Sequence, residues 1–183
     1  MSCELMKHEK IKEYTTIWMD SLRNGETELV NTNRLIRFYE GATGLKTGTT
    51  SKAGYCISAT AERDGMKLIA VVMGAKTRDE RNSIARAMLD YGFSSYALYG
   101  EDESPIDNVK LCGAADNSIT VYSGGLKKLV NKADKKKILK HYDIPEVLEA
   151  PLSEGQVVGK VRYVIDGKIL SEEDIYVKTN AER

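Results

Sequence analysis

Residues 55–74 read YCISATAERDGMKLIAVVMG, and no other stretch restricts the fold as tightly. Tyr55, Ile57, Ala59 and Ala61 alternate with Cys56, Ser58 and Thr60, the period-two pattern of a strand. Asp64-Gly65 supplies a tight type I′ turn, and residues 66–73 return as an almost continuous apolar run. A strand that is apolar on both faces is covered on both faces, so this hairpin is expected between layers of helix. Thr77 and Glu80 then have the T-x-x-E spacing of a capping box. Ile84, Ala87, Met88 and Tyr91 recur at helical spacing, with Gly92 placed to stop the helix. The pattern predicts a helix over 78–91 that covers one side of the sheet.

Upstream of the hairpin, residues 39–55 read YEGATGLKTGTTSKAGY, rich in glycine and small hydroxyl side chains around one Lys-Thr-Gly. A phosphate-binding loop would need Gly-Lys-[Ser/Thr] opening a helix. Here Leu45 separates Gly44 from Lys46 and a strand follows. As a strand, residues 44–50 alternate: Leu45, Thr47 and Thr49 on one side, Lys46, Gly48 and Thr50 on the other. Such a strand would be an outer member of the sheet. Gly48 lets a ligand approach closely, Lys46 offers a fixed cation, and the threonine hydroxyls can donate to a carboxylate. Free edge N–H groups can take an extended peptide or stabilise an oxyanion. The same letters also suit a polar turn. Further upstream, Asn24-Gly25 signals a hairpin, residues 3–13 suggest the end of a helix, and NRLIRFY (33–39) suggests a short one.

Downstream, the acidic, proline-containing segment 100–107 has linker composition. Beyond it, short alternating runs separated by Gly124-Gly125, Ala133-Asp134 and Asp166-Gly167 predict a small all-β domain, sandwich or barrel. Lysines gather at 127, 128, 132, 135, 136, 137 and 140. They fit a solvated sheet edge protected against aggregation, or less simply an anionic-surface contact.

Lys+Arg and Asp+Glu are both 27, which argues against nucleic-acid binding through bulk charge. The three cysteines, Cys3, Cys56 and Cys112, are scattered and odd in number, so a disulfide framework is not expected. Cys56 reads as a small buried hydrophobe. His8 and His141 lack metal-ligand spacing to a cysteine. No metal or cofactor is expected. The N-terminus has no signal-peptide core, and taken literally the chain would stay in the cytoplasm.

Lys-Thr-Gly on a strand, followed by a hairpin and a capped helix, resembles the third motif of the penicillin-recognising serine enzymes. Over GLKTGTTSKAGYCISATAERDGMKLIAVVMGAKTRDER the chain is similar to the serine D-alanyl-D-alanine carboxypeptidases, the low-molecular-mass penicillin-binding proteins. EAPLSEGQVVGKVRYVIDGK (149–168) resembles that family's C-terminal domain. The resemblance implies an α+β fold. Residues 1–99 would be the C-terminal part of a β-lactamase/DD-peptidase-like catalytic domain, 100–107 the linker, and 108–183 a sandwich-like all-β domain.

It also implies site roles. Lys46 would join the active-site proton network and supply positive potential. Thr47 would bond the terminal carboxylate of D-alanyl-D-alanine or of a β-lactam. Gly48 would leave room for substrate, and the Thr49 N–H would be an oxyanion donor. Arg81 matches an arginine that helps hold the substrate carboxylate; as a bare sequence position it is equally a surface helix arginine. The family's S-x-x-K and S-x-N motifs are absent: no serine here has a lysine three residues later. The chain is therefore expected to carry one wall of a site whose serine half lies upstream, and to be inactive alone. The parent would act outside the cytoplasmic membrane on peptidoglycan stem peptides. An alternative is a non-catalytic module that contacts cell wall or protein. Half a catalytic domain would leave apolar surface uncovered, so self-association is expected.

Overall fold

The computed structural model describes residues 1–183 and divides them into two compact units, Met1–Tyr96 and Ala97–Arg183. In the first, α1 (Ser2–Leu5) and α2 (Glu9–Thr15) are two short helices where the sequence suggested one. The hairpin expected at Asn24-Gly25 forms from β1 (Met19–Leu22) and β2 (Thr27–Val30), paired antiparallel. Its turn places Arg23, Asn24 and Gly25 at positive φ, a conformation that asparagine and glycine tolerate. A short helix α3 (Leu35–Phe38) leads into the central sheet.

That sheet has the order β3 (Ala42–Thr50), β4 (Gly54–Arg63), β5 (Met66–Ala75), all antiparallel. The Asp64-Gly65 turn has both residues at positive φ, as the sequence required. Register puts Leu45, Ala59 and Ala70 side by side, and likewise Thr47, Ile57 and Val72. Ile57, Ala59, Ala61, Ala70 and Val72 are buried. The opposite face receives the N-terminal segment: the Ser2 and Ser58 hydroxyls share a hydrogen bond, Lys12 pairs with Glu62, and Thr15 donates to the Thr43 carbonyl. Coverage there is incomplete. Val71 is 53% exposed and Met73 75%, so the continuous apolar run of β5 does not mean burial on both faces.

Helix α4 (Arg78–Ser95) is longer than the sequence indicated and packs on β4 and β5. Thr77 caps it: its Oγ1 accepts from the Glu80 N–H at 3.1 Å. Glu80 returns its carboxylate to the Lys76 N–H at 2.7 Å, one residue before the cap. The helix runs through Gly92 because that glycine is a contact point. A Cβ there would come within 2.5 Å of Leu68 Cδ1. The buried side is also not the expected one. Arg81, Ala85, Leu89 and Phe93 face inward, whereas Ile84, Met88 and Tyr91 are exposed. Burying Leu89 alone contributes about 1.5–3 kcal/mol.

The second unit is all β. A six-stranded sheet has the order β10 (Leu139–Asp143), β12 (Val157–Ile165), β13 (Lys168–Val177), β8 (Ser118–Ser123), β7 (Ser104–Cys112), β11 (Val147–Glu149). Only β11 pairs in parallel, with β7. A two-stranded sheet joins β6 (Tyr96–Glu101) to β9 (Leu126–Asn131). The core is Val109, Leu111, Ile119, Val121, Val161, Tyr163, Ile175 and Val177. Residues 100–107, expected as a linker, lie mostly in β6 and β7, because β-pairing takes up their backbone groups. Gly124-Gly125 separates two strands, as expected, and carries the chain from one sheet to the other. Lys127, Lys128, Lys132, Lys135 and Lys136 are exposed, Lys137 pairs with Asp134 and Asp166, and Lys140 pairs with Glu101. No helix is long and apolar enough to cross a membrane.

Candidate active site

The Lys-Thr-Gly strip is the outer strand of its sheet, with β4 on one side and an unpaired edge on the other. What fixes it is a polar bracket that pattern reasoning passed over. Asn33 is buried; its Nδ2 donates to the Gly44 carbonyl at 3.0 Å and its Oδ1 accepts from the Leu35 N–H at 3.1 Å. Asn31 in turn accepts from the Asn33 N–H at 2.9 Å. This chain ties the start of α3 to β3 two residues before Lys46. The signal was present in the sequence as Asn-Thr-Asn ahead of an apolar helix, the asparagine chemistry of turns and caps.

Lys46 and Thr47 leave β3 on opposite faces. Lys46 lies on the Ser58 face, is exposed, and curls along the strand so that Nζ donates to the Thr47 carbonyl at 2.5 Å. Thr47 lies on the Ile57 face and is buried, its hydroxyl sharing a 2.7 Å hydrogen bond with Thr32. Gly48 and Thr49 are exposed, and a Cβ at Gly48 would meet nothing within 4 Å. The space that glycine leaves is therefore open to solvent.

Arg81 sits in the first turn of α4 and is 2% exposed. It is not the surface helix arginine that the sequence also allowed. Its Nε and Nη2 both donate to Asn82 Oδ1, at 3.2 and 2.9 Å, and it forms no ion pair. Burial pulls its guanidinium below the ordinary arginine value, the positive charge of Arg78 adds to that, and Cys56 and Tyr55 oppose it. Those last two residues are the cross-strand partners of Gly48 and Thr49. A buried cation without a counter-charge costs solvation free energy. Cys56, expected as a buried hydrophobe, is half-buried instead, and its Sγ donates to the Ala53 carbonyl at 3.4 Å.

Comparison with known proteins agrees with this architecture. The sequence model described as D-alanyl-D-alanine carboxypeptidase matches residues 1–77, and that described as penicillin-binding protein 5, C-terminal domain, matches residues 93–183. D-alanyl-D-alanine carboxypeptidase DacF of Bacillus subtilis is 35% identical over 100% of this chain and 49% of its own length. DacC of Escherichia coli is 34% identical over 76% of this chain and 36% of its own. Among solved structures, penicillin binding protein 5 from Haemophilus influenzae superposes with a TM-score of 0.74 at 25% identity, covering 98% of this chain and 53% of that one. The chain thus spans about half the length of these relatives or less. It belongs to the D-alanyl-D-alanine carboxypeptidases, the low-molecular-mass penicillin-binding proteins.

Proposed function

We propose that this chain supplies the carboxylate-binding and oxyanion wall of a serine D-alanyl-D-alanine carboxypeptidase that trims peptidoglycan stem peptides outside the cytoplasmic membrane. The observation that carries the proposal is the Lys46-Thr47-Gly48 strip at an open strand edge, with the buried, unpaired Arg81 behind it. A strand turns the N–H groups of alternate residues to the same side, so Thr47 and Thr49 present their amides together. An extended substrate adding to that edge would bring its scissile carbonyl to the Thr49 N–H and its terminal carboxylate to the Thr47 hydroxyl. Arg81 would supply the counter-charge, and Lys46 a positive field and a proton path for the attacking serine. That serine must come from an S-x-x-K segment, which residues 1–183 do not contain. The acyl-enzyme it forms would then be hydrolysed. A β-lactam would enter as a mimic of the same peptide. The division of labour we assign is residues 1–99 to the catalytic domain and 108–183 to the family's all-β domain. The apolar surface left open on β5 favours self-association of the isolated chain.

A fluorescent penicillin tests this. The chain alone is expected to give no covalent adduct. The chain joined to the upstream half of Bacillus subtilis DacF is expected to label, and Lys46→Ala in that chimera to lose labelling by about 10²-fold or more. A folded chimera that fails to label, or one that labels normally without Lys46, refutes the assignment.

A further inference from the structure

A cavity of about 540 Å³ opens beside the strip within the first unit. Trp18 and Phe38 form its aromatic walls, their rings edge to face at 6.1 Å. Arg34 and Arg78 line it as well. Arg37 stacks over both rings, its Cζ 5.6 Å from the Trp18 centroid and 5.4 Å from that of Phe38. The acid paired with this group is Asp79, 3.6 Å from Arg34 and largely exposed. Arg37 and Arg78 form no ion pair. Two guanidinium groups on the cavity wall, Arg34 and Arg78, against one carboxylate, beside two aromatic rings, describe a receptor for an anion on a short aliphatic stem.

Its position gives the anion an address. Thr32 also lines the cavity, and its hydroxyl is bonded to Thr47 at 2.7 Å. In the carboxypeptidase reading, on which this inference rests, the scissile carbonyl lies at Thr49 and the terminal carboxylate at Thr47. The path from Thr49 to Thr47 to Thr32 then leads away from the acyl half of the substrate and into the cavity. Whatever fills the cavity belongs to the departing residue.

We propose that this cavity is a leaving-group subsite for a C-terminal D-residue bearing a second carboxylate. The aromatic walls take the methylene stem, and Arg78 with Arg34 takes the side-chain carboxylate. A D-alanine leaving group reaches only Thr47 and leaves the cavity unused.

The chain has a single tryptophan, so Trp18 emission reports on the site directly. The unmodified 183-residue chain is titrated with N-acetyl-D-Ala-D-Ala and with N-acetyl-D-Ala-D-Glu, and the affinities are read independently by calorimetry. One charge-assisted contact at a partly exposed site is expected to favour the D-Glu ligand by about tenfold, less at high salt. Arg78→Gln is expected to bring the ratio between the two ligands close to one. Equal affinities in the native chain, or a ratio that survives Arg78→Gln, overturn this subsite and leave the carboxypeptidase reading standing. Binding of neither ligand overturns the subsite as well, whereas the carboxypeptidase reading stands or falls on labelling of the chimera.

Discussion

Replacing Arg81 by methionine should make the protein more stable and less able to bind substrate. Methionine keeps the unbranched stem that packs beneath α4 and removes the charge. Moving an ion from water into protein costs several kcal/mol, and burial is the main cause acting on this guanidinium. The two contacts to Asn82 offset part of that cost but bring no opposing charge. Asn82 is half-buried and can turn to water when its donor is lost. The net gain on replacement is expected to be about 1–2 kcal/mol, within the range found when buried charges give way to apolar side chains. That corresponds to a Tm rise of roughly 5–10 °C for a unit of this size. Binding of N-acetyl-D-Ala-D-Ala should weaken by about 10- to 100-fold, the worth of one hydrogen bond to a charged group. Thermal melting and calorimetry on the same two samples give both numbers. A variant destabilised by 1 kcal/mol or more, or one that binds as well as the native chain, refutes the idea that Arg81 is held at a structural cost for an anion.

Thr77→Ala should lower stability by about 1 kcal/mol in chemical denaturation through loss of the cap bond to the Glu80 N–H; no change would mean that Glu80 alone holds the helix start. Tyr39 gives a pH signature. Burial, reinforced by its 2.7 Å hydrogen bond to Asp90, pushes the phenol up to about 12. A folded-state value above the unfolded one makes a contribution to stability that is fully present below the unfolded value of about 10 and is lost as pH rises through 12. Denaturation midpoints measured across that window should fall with pH, and Tyr39→Phe should flatten the fall; an unchanged slope counts against this pair.

The sequence disclosed the central sheet well because every signal in it is local. Alternation over 55–61, the Asp64-Gly65 turn and the Thr77 cap each act within a few residues. Helix α4 shows where that stops. Its apolar stripe at Ile84, Met88 and Tyr91 promised the buried face, yet the helix buries Arg81, Ala85, Leu89 and Phe93. A small residue helps decide that packing: Gly92 lets the helix backbone close on Leu68, a fit that periodicity does not encode. The β6–β9 pair was illegible for another reason, since its strands are about 30 residues apart and join across the turns between them. Of the site, Lys46, Thr47, Gly48 and Thr49 could be read as one strip. The burial of Arg81, the Asn33 bracket and the Thr32 contact needed three-dimensional neighbours.

The Thr32–Thr47 hydroxyl pair has a directional consequence. Each hydroxyl carries one proton, and either can donate to the other. A carboxylate arriving at Thr47 would accept a hydrogen bond from its hydroxyl, leaving that oxygen as an acceptor toward Thr32 and requiring Thr32 to donate. Thr32's rotor would then be locked in the donating orientation. Occupation at Thr47 would thus set the direction of the hydrogen bond in the wall that the cavity shares.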